Sequence, residues 1–375
     1  MRPCELPPDP DLLQWLDRQA RQVCDPVARL RYLRQALDCP QTIITERRPR
    51  AVLMPIVVSL LLLASPAPTG SGAAAPAWHP TPLTAPARQA APLWLVERTD
   101  AFEQYSNGLR VERDFLTAGE LRRPRWAPRH EQDGAQPPDP AGIVFHASEN
   151  DPAPFSPEQN VRLKREGRAL LAWVRQHRLY HYLVDRFGVV HRILEDEQRA
   201  HHAGQSLWAD GRWIYLDLNE SFLGVCFEAS TTGPEPPQLS PAQLRAGRAL
   251  LEMLRARYRI AAENCVTHAQ VSINPANRRI GYHTDWADGF PFAELGLPDN
   301  YARLLPSMLL FGFEADDLYA RRAGARLREA LELGRLEVAR QAQAGGLSLA
   351  RYRRWQQERY RQACLRCRGV KESSP

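Results

Sequence analysis

Two histidines in this sequence each follow a short apolar run, and that position marks them as candidates for chemistry. His146 ends the run 142–145, which reads as a buried strand, and His268 follows Val266 and Thr267 in a similar way. Open α/β sheets bind their ligands beyond the carboxyl ends of the strands. Both imidazoles are therefore expected at a ligand-binding edge, although a single strand-end histidine also has an ordinary structural explanation.

The segment between and around the two histidines alternates between strand and helix patterns. Ser156 and Ser240 are each followed by proline, which is typical of the first turn of a helix. The predicted elements are helices over 156–177 and 240–258, and strands over 93–96, 142–146, 222–228 and 266–268. Residues 180–190 are predicted as two strands joined by a turn around Gly188. A long loop then leads to His283, Asp285 and Asp288. This alternation predicts an α/β domain.

Five motifs in this order resemble the zinc amidase family that includes N-acetylmuramoyl-L-alanine amidases and peptidoglycan recognition proteins. They are the strand ending in His146, Tyr180-His181-Tyr182 with the turn from Asp185 to Gly188, His202-Ala203-Gly204, Gly224-Val225-Cys226, and His268 with Asp285 ahead of Phe290-Pro291-Phe292. The resemblance covers residues 141–297. It implies a central mixed sheet flanked by helices, with a cleft over a catalytic zinc ion.

By position in these motifs, the resemblance implies that Zn²⁺ is held by His146, His268 and Asp285. Catalytic zinc commonly has three protein ligands and an open fourth position for water. Such a centre lowers the pKa of the water and polarises a scissile carbonyl. Asp288 is a rival third ligand, and Asp285 is preferred because the Phe-Pro-Phe sequence after it falls in the register of the family.

Two further residues take catalytic roles in the resemblance. Tyr180 matches a tyrosine beside the metal, whose hydroxyl can bind water or the developing oxyanion; its alternative role is that of a half-buried strand aromatic. His283 stands where the family has a lysine or threonine that steadies the tetrahedral intermediate. A histidine can donate a hydrogen bond there, so His283 is a candidate despite the difference.

A larger departure from the family concerns the general base. Cys226 stands where many bacterial members carry a glutamate, whereas phage-type members carry cysteine. Glu228 lies two residues further on, and strand side chains repeat every second residue, so the two should share one face of the sheet. We therefore predict Glu228 as a substitute base, with a surface carboxylate as the alternative.

The resemblance also assigns His202 and Asn219 to the substrate groove. Both match family positions that line it, so they are predicted as substrate-binding residues. A His-Ala-Gly turn has an ordinary structural explanation as well, and the sequence leaves that alternative open.

The segments outside this domain differ from it in composition. Residues 51–64 form an uncharged apolar run after the basic residues Arg47, Arg48 and Arg50. This pattern predicts a signal anchor or signal peptide within 51–68, with a buried core helix as the alternative. The predicted organisation is a helical extension over 1–50, the apolar segment 51–68, a Pro/Ala-rich linker over 69–92, a catalytic domain over 93–300 and an Arg-rich helical extension over 301–375.

The net charge of the chain indicates what kind of partner it binds. The formal net charge is +6, which favours an anionic partner such as cell-wall polymer, lipid headgroups or nucleic acid. The predicted export signal argues against nucleic acid and for the cell envelope, with contact to the inner membrane through 51–68.

Seven unevenly placed cysteines do not form the framework of a disulfide-rich domain, and Cys364 and Cys367 form only a single CxxC pair.

Together these features predict a periplasmic, membrane-anchored or secreted zinc hydrolase that acts on peptidoglycan or muropeptides. Its expected reaction is cleavage of the amide between N-acetylmuramic acid and L-alanine. A peptidoglycan-binding module without catalytic activity is the alternative, because Cys226 replaces the glutamate of many relatives. A helical scaffold with the central domain as a spacer would require that zinc be absent.

Overall fold

The computed structural model describes residues 92–130, 137–150, 153–232 and 238–369. The strands are β1 (Leu95–Arg98), β2 (Phe102–Tyr105), β3 (Arg110–Glu112), β4 (Trp126–Pro128), β5 (Gly142–Ala147), β6 (Tyr182–Val184), β7 (Val190–Arg192), β8 (Leu207–Ala209), β9 (Trp213–Leu216), β10 (Phe222–Phe227) and β11 (Cys265–Thr267). The α-helices are α1 (Asn160–His177), α2 (Leu218–Ser221), α3 (Pro241–Tyr258), α4 (His268–Val271), α5 (Pro306–Phe311), α6 (Asp317–Arg322), α7 (Ala325–Ala344) and α8 (Leu349–Gly369). Short 3-10 helices lie at Pro157–Gln159, Ala262–Asn264 and Asn300–Ala302.

The central sheet of the described chain has eight strands in the order β1-β2-β3-β7-β6-β10-β5-β11. The strands β6, β10, β5 and β11 run parallel to one another, whereas β6 and β7 are antiparallel, as are β1, β2 and β3. A smaller antiparallel sheet has the order β4-β9-β8. The predicted α/β fold with a central mixed sheet is therefore confirmed.

Two long helices cover opposite faces of the central sheet. Leu171 of α1 shares a buried apolar cluster with Cys226 of β10. On α3, a Cβ atom at Gly247 would lie 2.9 Å from the ring of Phe227, so the helix approaches the strand closely. Because Cys226 and Phe227 are successive strand residues, their side chains point to opposite faces. The sheet is thus flanked by helices on both sides.

The register of the central strands brings the two predicted histidine ligands together. β11 and β5 are parallel, with Thr267 opposite Phe145. The next residues along these two strands are His268 and His146, so the imidazoles leave the same edge of the sheet side by side. On the other side of β5, His146 lies opposite Cys226.

The helices near the C-terminus pack against this α/β domain. Tyr319 of α6 is buried and donates a hydrogen bond to the carbonyl of Ala269 at 2.8 Å. The side-chain amide of Gln205 donates to the hydroxyl of Tyr360 in α8 at 3.3 Å. Residues Ala90–Pro375 accordingly form one compact unit. The predicted boundary near residue 300 marks a change to helical structure within that unit.

The predicted N-terminal segments lie almost wholly outside the described residues. These are the helical extension 1–50, the apolar segment 51–68 and the linker 69–92, of which the structure describes Pro92 alone. Within the described part of the chain, no helix combines the length and the hydropathy needed to cross a membrane.

Candidate metal centre

Three of the predicted site residues converge at the carboxyl edge of the central sheet. One potential ligand atom from each of His146, His268 and Asp285 lies within 4.8 Å of the other two. Nδ1 of His146 is 3.3 Å from Oδ2 of Asp285, and Nδ1 of His268 is 2.9 Å from Oδ1. Ligand bonds of about 2.0–2.1 Å in tetrahedral geometry place ligand atoms about 3.3 Å apart, so these separations suit a zinc ion.

Aromatic packing fixes the loop that carries Asp285. The ring of Phe290 stacks on that of Phe145 with centroids 4.4 Å apart. Trp286 is fully buried at 0% exposure. Since Trp286 directly follows Asp285 and Phe145 directly precedes His146, this packing sets the carboxylate beside the imidazole.

The rival ligand predicted from sequence, Asp288, lies outside the cluster. Its side chain is exposed, and its Oδ1 accepts a hydrogen bond from the backbone N–H of Gly289 at 2.9 Å. The same carboxylate packs on Gly324, where an added Cβ atom would meet Oδ1 at 1.9 Å. The structure therefore brings Asp285, and not Asp288, to the two histidines.

Hydrogen bonds behind His146 determine which of its nitrogens carries the proton. Nε2 of His202 lies 3.3 Å from the carbonyl oxygen of Phe222, which can only accept, so this nitrogen carries a proton. Nδ1 of the neutral His202 ring is then an acceptor, and it lies 3.1 Å from Nε2 of His146. His146 consequently donates through Nε2 and keeps an unprotonated Nδ1.

This tautomer makes the residues fit a metal ion. The unprotonated Nδ1 of His146 faces a carboxylate oxygen of Asp285, and two lone pairs at 3.3 Å repel unless a cation lies between them. In addition, Nδ1 of His268 lies 2.9 Å from the other oxygen of the same carboxylate. Two imidazoles and one carboxylate are a donor set suited to catalytic zinc.

The electrostatics of the cluster keep the ligands in the protonation states that a metal needs. Burial, followed by the neighbouring His268, lowers the pKa of His146 from 6.5 to about 4. Burial alone would raise the pKa of Asp285, but the neighbouring His268 holds it well below its usual range. At neutral pH the His146 ring is therefore neutral and the Asp285 carboxyl is ionised, as metal binding requires.

Tyr180 and His283, the predicted catalytic residues, both lie against metal-ligand candidates. The ring of Tyr180 is 4.9 Å from that of His146 between centroids. The ring of His283 stacks on that of His268 at 4.5 Å with an interplanar angle of 19°. The strand prediction for Tyr180 was wrong, because this residue has a left-handed φ of 56° and β6 begins only at Tyr182.

The structure places Glu228, the predicted base, away from the three converging side chains. It is 2% exposed, and its Oε2 accepts a hydrogen bond from the backbone N–H of Arg186 at 3.1 Å. A Cβ atom at Gly167 of α1 would lie 3.3 Å from the same oxygen. Glu228 is thus buried under α1, and neither the predicted catalytic role nor the surface alternative matches this position.

Cys226 is fully buried beside His146 in the strand register. Burial raises the pKa of its thiol well above the usual value, and a hydrogen bond with Tyr180 acts in the opposite direction. The side chain is therefore a protonated thiol at neutral pH, which is neither a nucleophile nor a metal ligand.

His202 and Asn219, the predicted substrate-binding residues, are both 5% exposed. Oδ1 of Asn219 accepts hydrogen bonds from the backbone N–H groups of His202 at 2.8 Å and Ala203 at 2.7 Å. His202 in turn contacts His146. The pair is located behind a metal-ligand candidate, and burial lowers the pKa of His202 well below its ordinary value.

Glu149 is a carboxylate near the site that the sequence analysis did not identify. It lies three residues after His146, and its carboxylate accepts hydrogen bonds from the backbone N–H and the hydroxyl of Thr231. Burial raises its pKa, the bonds to Thr231 oppose this, and the charge of Asp285 raises it further. Its position directly after the strand that delivers His146 was the signal available in the sequence.

Three residues beside these side chains have left-handed backbone. Glu149, Tyr180 and Trp286 have φ values of 53°, 56° and 58°. Such conformations cost a non-glycine residue about 1–3 kcal/mol and are found most often at functional sites. The packing that fixes the cluster therefore also holds strained residues beside it.

A mixed α/β sheet with a buried His-His-Asp group at its carboxyl edge defines a candidate metallohydrolase. Residues 136–285 match the family model described as N-acetylmuramoyl-L-alanine amidase, and the match includes all three converging residues. The resemblance to the type 2 amidase family is thereby confirmed for this central segment. No curated protein matches the sequence significantly.

Several solved structures are similar to the chain. AmiD, an amidase from E. coli in complex with anhydro-N-acetylmuramic acid-L-Ala-D-gamma-Glu-L-Lys, is 21% identical, with 55% of this chain and 82% of that chain covered and a TM-score of 0.32. The amidase LysC from Clostridium intestinale is 19% identical, with 42% and 83% covered and a TM-score of 0.25. Peptidoglycan recognition protein SD from Drosophila is 21% identical, with 37% and 79% covered and a TM-score of 0.26.

Proposed function

We propose that this protein is a zinc-dependent N-acetylmuramoyl-L-alanine amidase. Its reaction is hydrolysis of the amide that joins N-acetylmuramic acid to the L-alanine of the peptidoglycan stem peptide. The observation that carries the proposal is the convergence of Nδ1 of His146, Nδ1 of His268 and the Asp285 carboxylate. The match of residues 136–285 to the amidase family supports the choice of bond.

The three converging residues would hold the zinc ion, and the open side of the group would face the substrate. Zinc bound there would supply an activated water and polarise the amide carbonyl. The aromatic packing of Phe290 and Trp286 keeps the ligands in place before substrate binds. Such preorganisation reduces the reorganisation needed during the reaction.

Tyr180 and His283 are proposed to bind the amide oxygen as negative charge develops on it. They flank the ligand group on two sides, Tyr180 against His146 and His283 against His268. Both side chains carry a proton that they can donate: the phenol O–H of Tyr180 and a ring N–H of His283. Hydrogen bonds that strengthen as the oxyanion forms accelerate amide cleavage.

We propose Glu149 as the group that moves protons. Glu149 lies just beyond β5, three residues after His146, and burial and the charge of Asp285 raise the pKa of its carboxyl. A base with a raised pKa can accept a proton from the attacking water and pass it to the leaving amide nitrogen. The burial of Glu228 under α1 makes that residue the weaker candidate.

Incubation of the full chain with zinc and N-acetylmuramoyl-L-alanyl peptides tests the proposal. We expect mass spectrometry to detect free stem peptide with a new amino terminus on L-alanine. Asp285→Ala should abolish this release, whereas Asp288→Ala, three residues away on the exposed part of the same loop, should retain it.

The second candidate function is peptidoglycan binding without cleavage. It is favoured by Cys226, which stands where many family members carry glutamate and which is buried as a thiol. Zinc-loaded protein that sediments with peptidoglycan but releases no stem peptide would establish this function instead.

We further propose that the protein works in the cell envelope, where its substrate lies. The proposal is supported by the basic and apolar pattern of residues 47–64. Fusion of residues 1–92 to alkaline phosphatase, which is active only outside the cytoplasm, should give phosphatase activity. Inactive fusion protein in the cytoplasm would contradict it.

A further inference from the structure

His202 is connected on one side to a metal-ligand candidate and on the other to the backbone of β10. Its Nδ1 lies 3.1 Å from Nε2 of His146, and its Nε2 lies 3.3 Å from the carbonyl oxygen of Phe222. The three groups form a chain in which each N–H has one acceptor. Because the last acceptor is a carbonyl, the chain permits only one direction of donation.

The pocket around His202 leaves its ring little freedom to move. An added Cβ atom at Gly224 would lie 2.6 Å from Cγ and 3.0 Å from Cδ2 of the imidazole, so the absence of a side chain at Gly224 makes room for the ring. Asn219 fixes the backbone on the other side through its two hydrogen bonds to the N–H groups of residues 202 and 203. The ring is 5% exposed as part of this closed pocket.

We propose that His202 is a positioning residue that holds His146 in the tautomer presenting Nδ1 to the metal ion. This inference rests on the metal centre of the proposed function. The partner of a ligating imidazole sets the tautomer and orientation of the ring, and loss of such a partner typically weakens metal binding about 10- to 100-fold. Here that partner is a second imidazole, not a carboxylate or a carbonyl.

The assignment differs from a role in substrate binding. A residue in a substrate groove must be accessible to substrate, whereas His202 and Asn219 are enclosed behind His146. It also differs from simple space filling, because only a side chain with an acceptor at the δ position can receive the Nε2–H of His146. The proposal therefore predicts an effect on metal affinity that depends on hydrogen-bonding capacity and not on volume.

Two variants of similar shape separate these possibilities. His202→Asn retains an acceptor at the δ position, whereas His202→Leu has nearly the same shape and none. In the full chain, competition with a chelator should show about 10- to 100-fold weaker Zn²⁺ binding for His202→Leu and about tenfold recovery for His202→Asn relative to it. Equal Zn²⁺ affinity of the two variants, whether native-like or reduced, would overturn the proposal.

A measurement on the native protein makes the test independent of how the variants fold. Nitrogen-15 NMR of the histidine rings should show a proton on Nε2 of both His146 and His202 in the metal-free and the zinc-loaded chain. A proton on Nδ1 of His202 would reverse the direction of donation and refute the assignment.

These readouts also separate the inference from the proposed function. If zinc affinity depends on residue 202 as described but no stem peptide is released, the amidase function fails and the role of His202 stands. If the protein is an active amidase but its Zn²⁺ affinity is indifferent to residue 202, the amidase function stands and the role of His202 fails.

Discussion

The imidazole of His283 lies nearly parallel to that of His268, with centroids 4.5 Å apart and an angle of 19° between the planes. Two residues thus occupy one stack, one as a metal-ligand candidate and the other as a candidate donor to the substrate. A Cβ atom at Gly204 would lie 4.0 Å from Nε2 of His283, so this nitrogen faces the loop that follows His202. The stack holds the plane of the His283 ring nearly parallel to that of the metal-ligand candidate.

Replacement of His283 by alanine should lower kcat while zinc stays bound. Loss of one donor to an oxyanion typically costs about 10²- to 10³-fold in kcat. His283→Lys, which supplies the lysine found at this position in relatives, should recover much of the loss. Steady-state kinetics with zinc content measured in the same samples checks both. Unchanged kcat in His283→Ala would remove His283 from the mechanism.

Glu149→Gln should slow the reaction more than Glu228→Gln. A positioned general base contributes about 10²- to 10⁴-fold to the rate, and glutamine keeps the shape of the side chain but cannot take up the proton. Glu228→Gln should leave kcat within a few-fold of the native value, since its carboxylate is held under α1. Steady-state kinetics of the two variants decides which glutamate is the base. A larger loss of kcat in Glu228→Gln would restore Glu228, the base predicted from the sequence.

The metal-free protein should lose stability as the pH falls below 6.5. Burial lowers the pKa of His181 from 6.5 to about 3 and that of His146 to about 4, so the unfolded chain binds protons in this range that the folded chain does not. Each such histidine lowers the free energy of unfolding by about 1.4 kcal/mol per pH unit.

Urea unfolding of the metal-free chain between pH 7.5 and pH 4.5 measures this slope. His181→Gln removes one of the titrating groups. Nδ1 of His181 accepts a hydrogen bond from the backbone N–H of Gly224, and this residue is not a metal-ligand candidate. The variant should show a shallower pH dependence, whatever its absolute stability. If the free energy of unfolding changes equally with pH in both proteins, His181 does not contribute to the pH dependence.

The sequence predicted that the metal-ligand candidates converge, but it did not predict which residues behind them hold them in place. Strand-end positions indicated that His146 and His268 lie at one edge, and the parallel register of β5 and β11 places them side by side. Whether residues behind that edge face the substrate or the core depends on loop packing, which has no periodic signal. His202 was for that reason assigned to the groove, whereas it is buried behind His146.

The prediction for Glu228 shows a second limit. The two-residue period of a strand correctly indicates the face that Glu228 shares with Cys226. It does not indicate which neighbour covers that face, and here α1 covers it at Gly167, where a glycine leaves room for the carboxylate. Glu149 was missed for a similar reason, because its left-handed backbone, with φ of 53°, follows from packing and not from the residue type.

The central claim is that two imidazoles and one carboxylate hold a single zinc ion, and the zinc content of the purified full chain tests it most directly. We predict about one zinc per chain in the native protein and close to none in His146→Ala, because a three-ligand centre depends on each of its ligands. A native chain without zinc, or a His146→Ala variant that keeps one zinc per chain, would contradict the account.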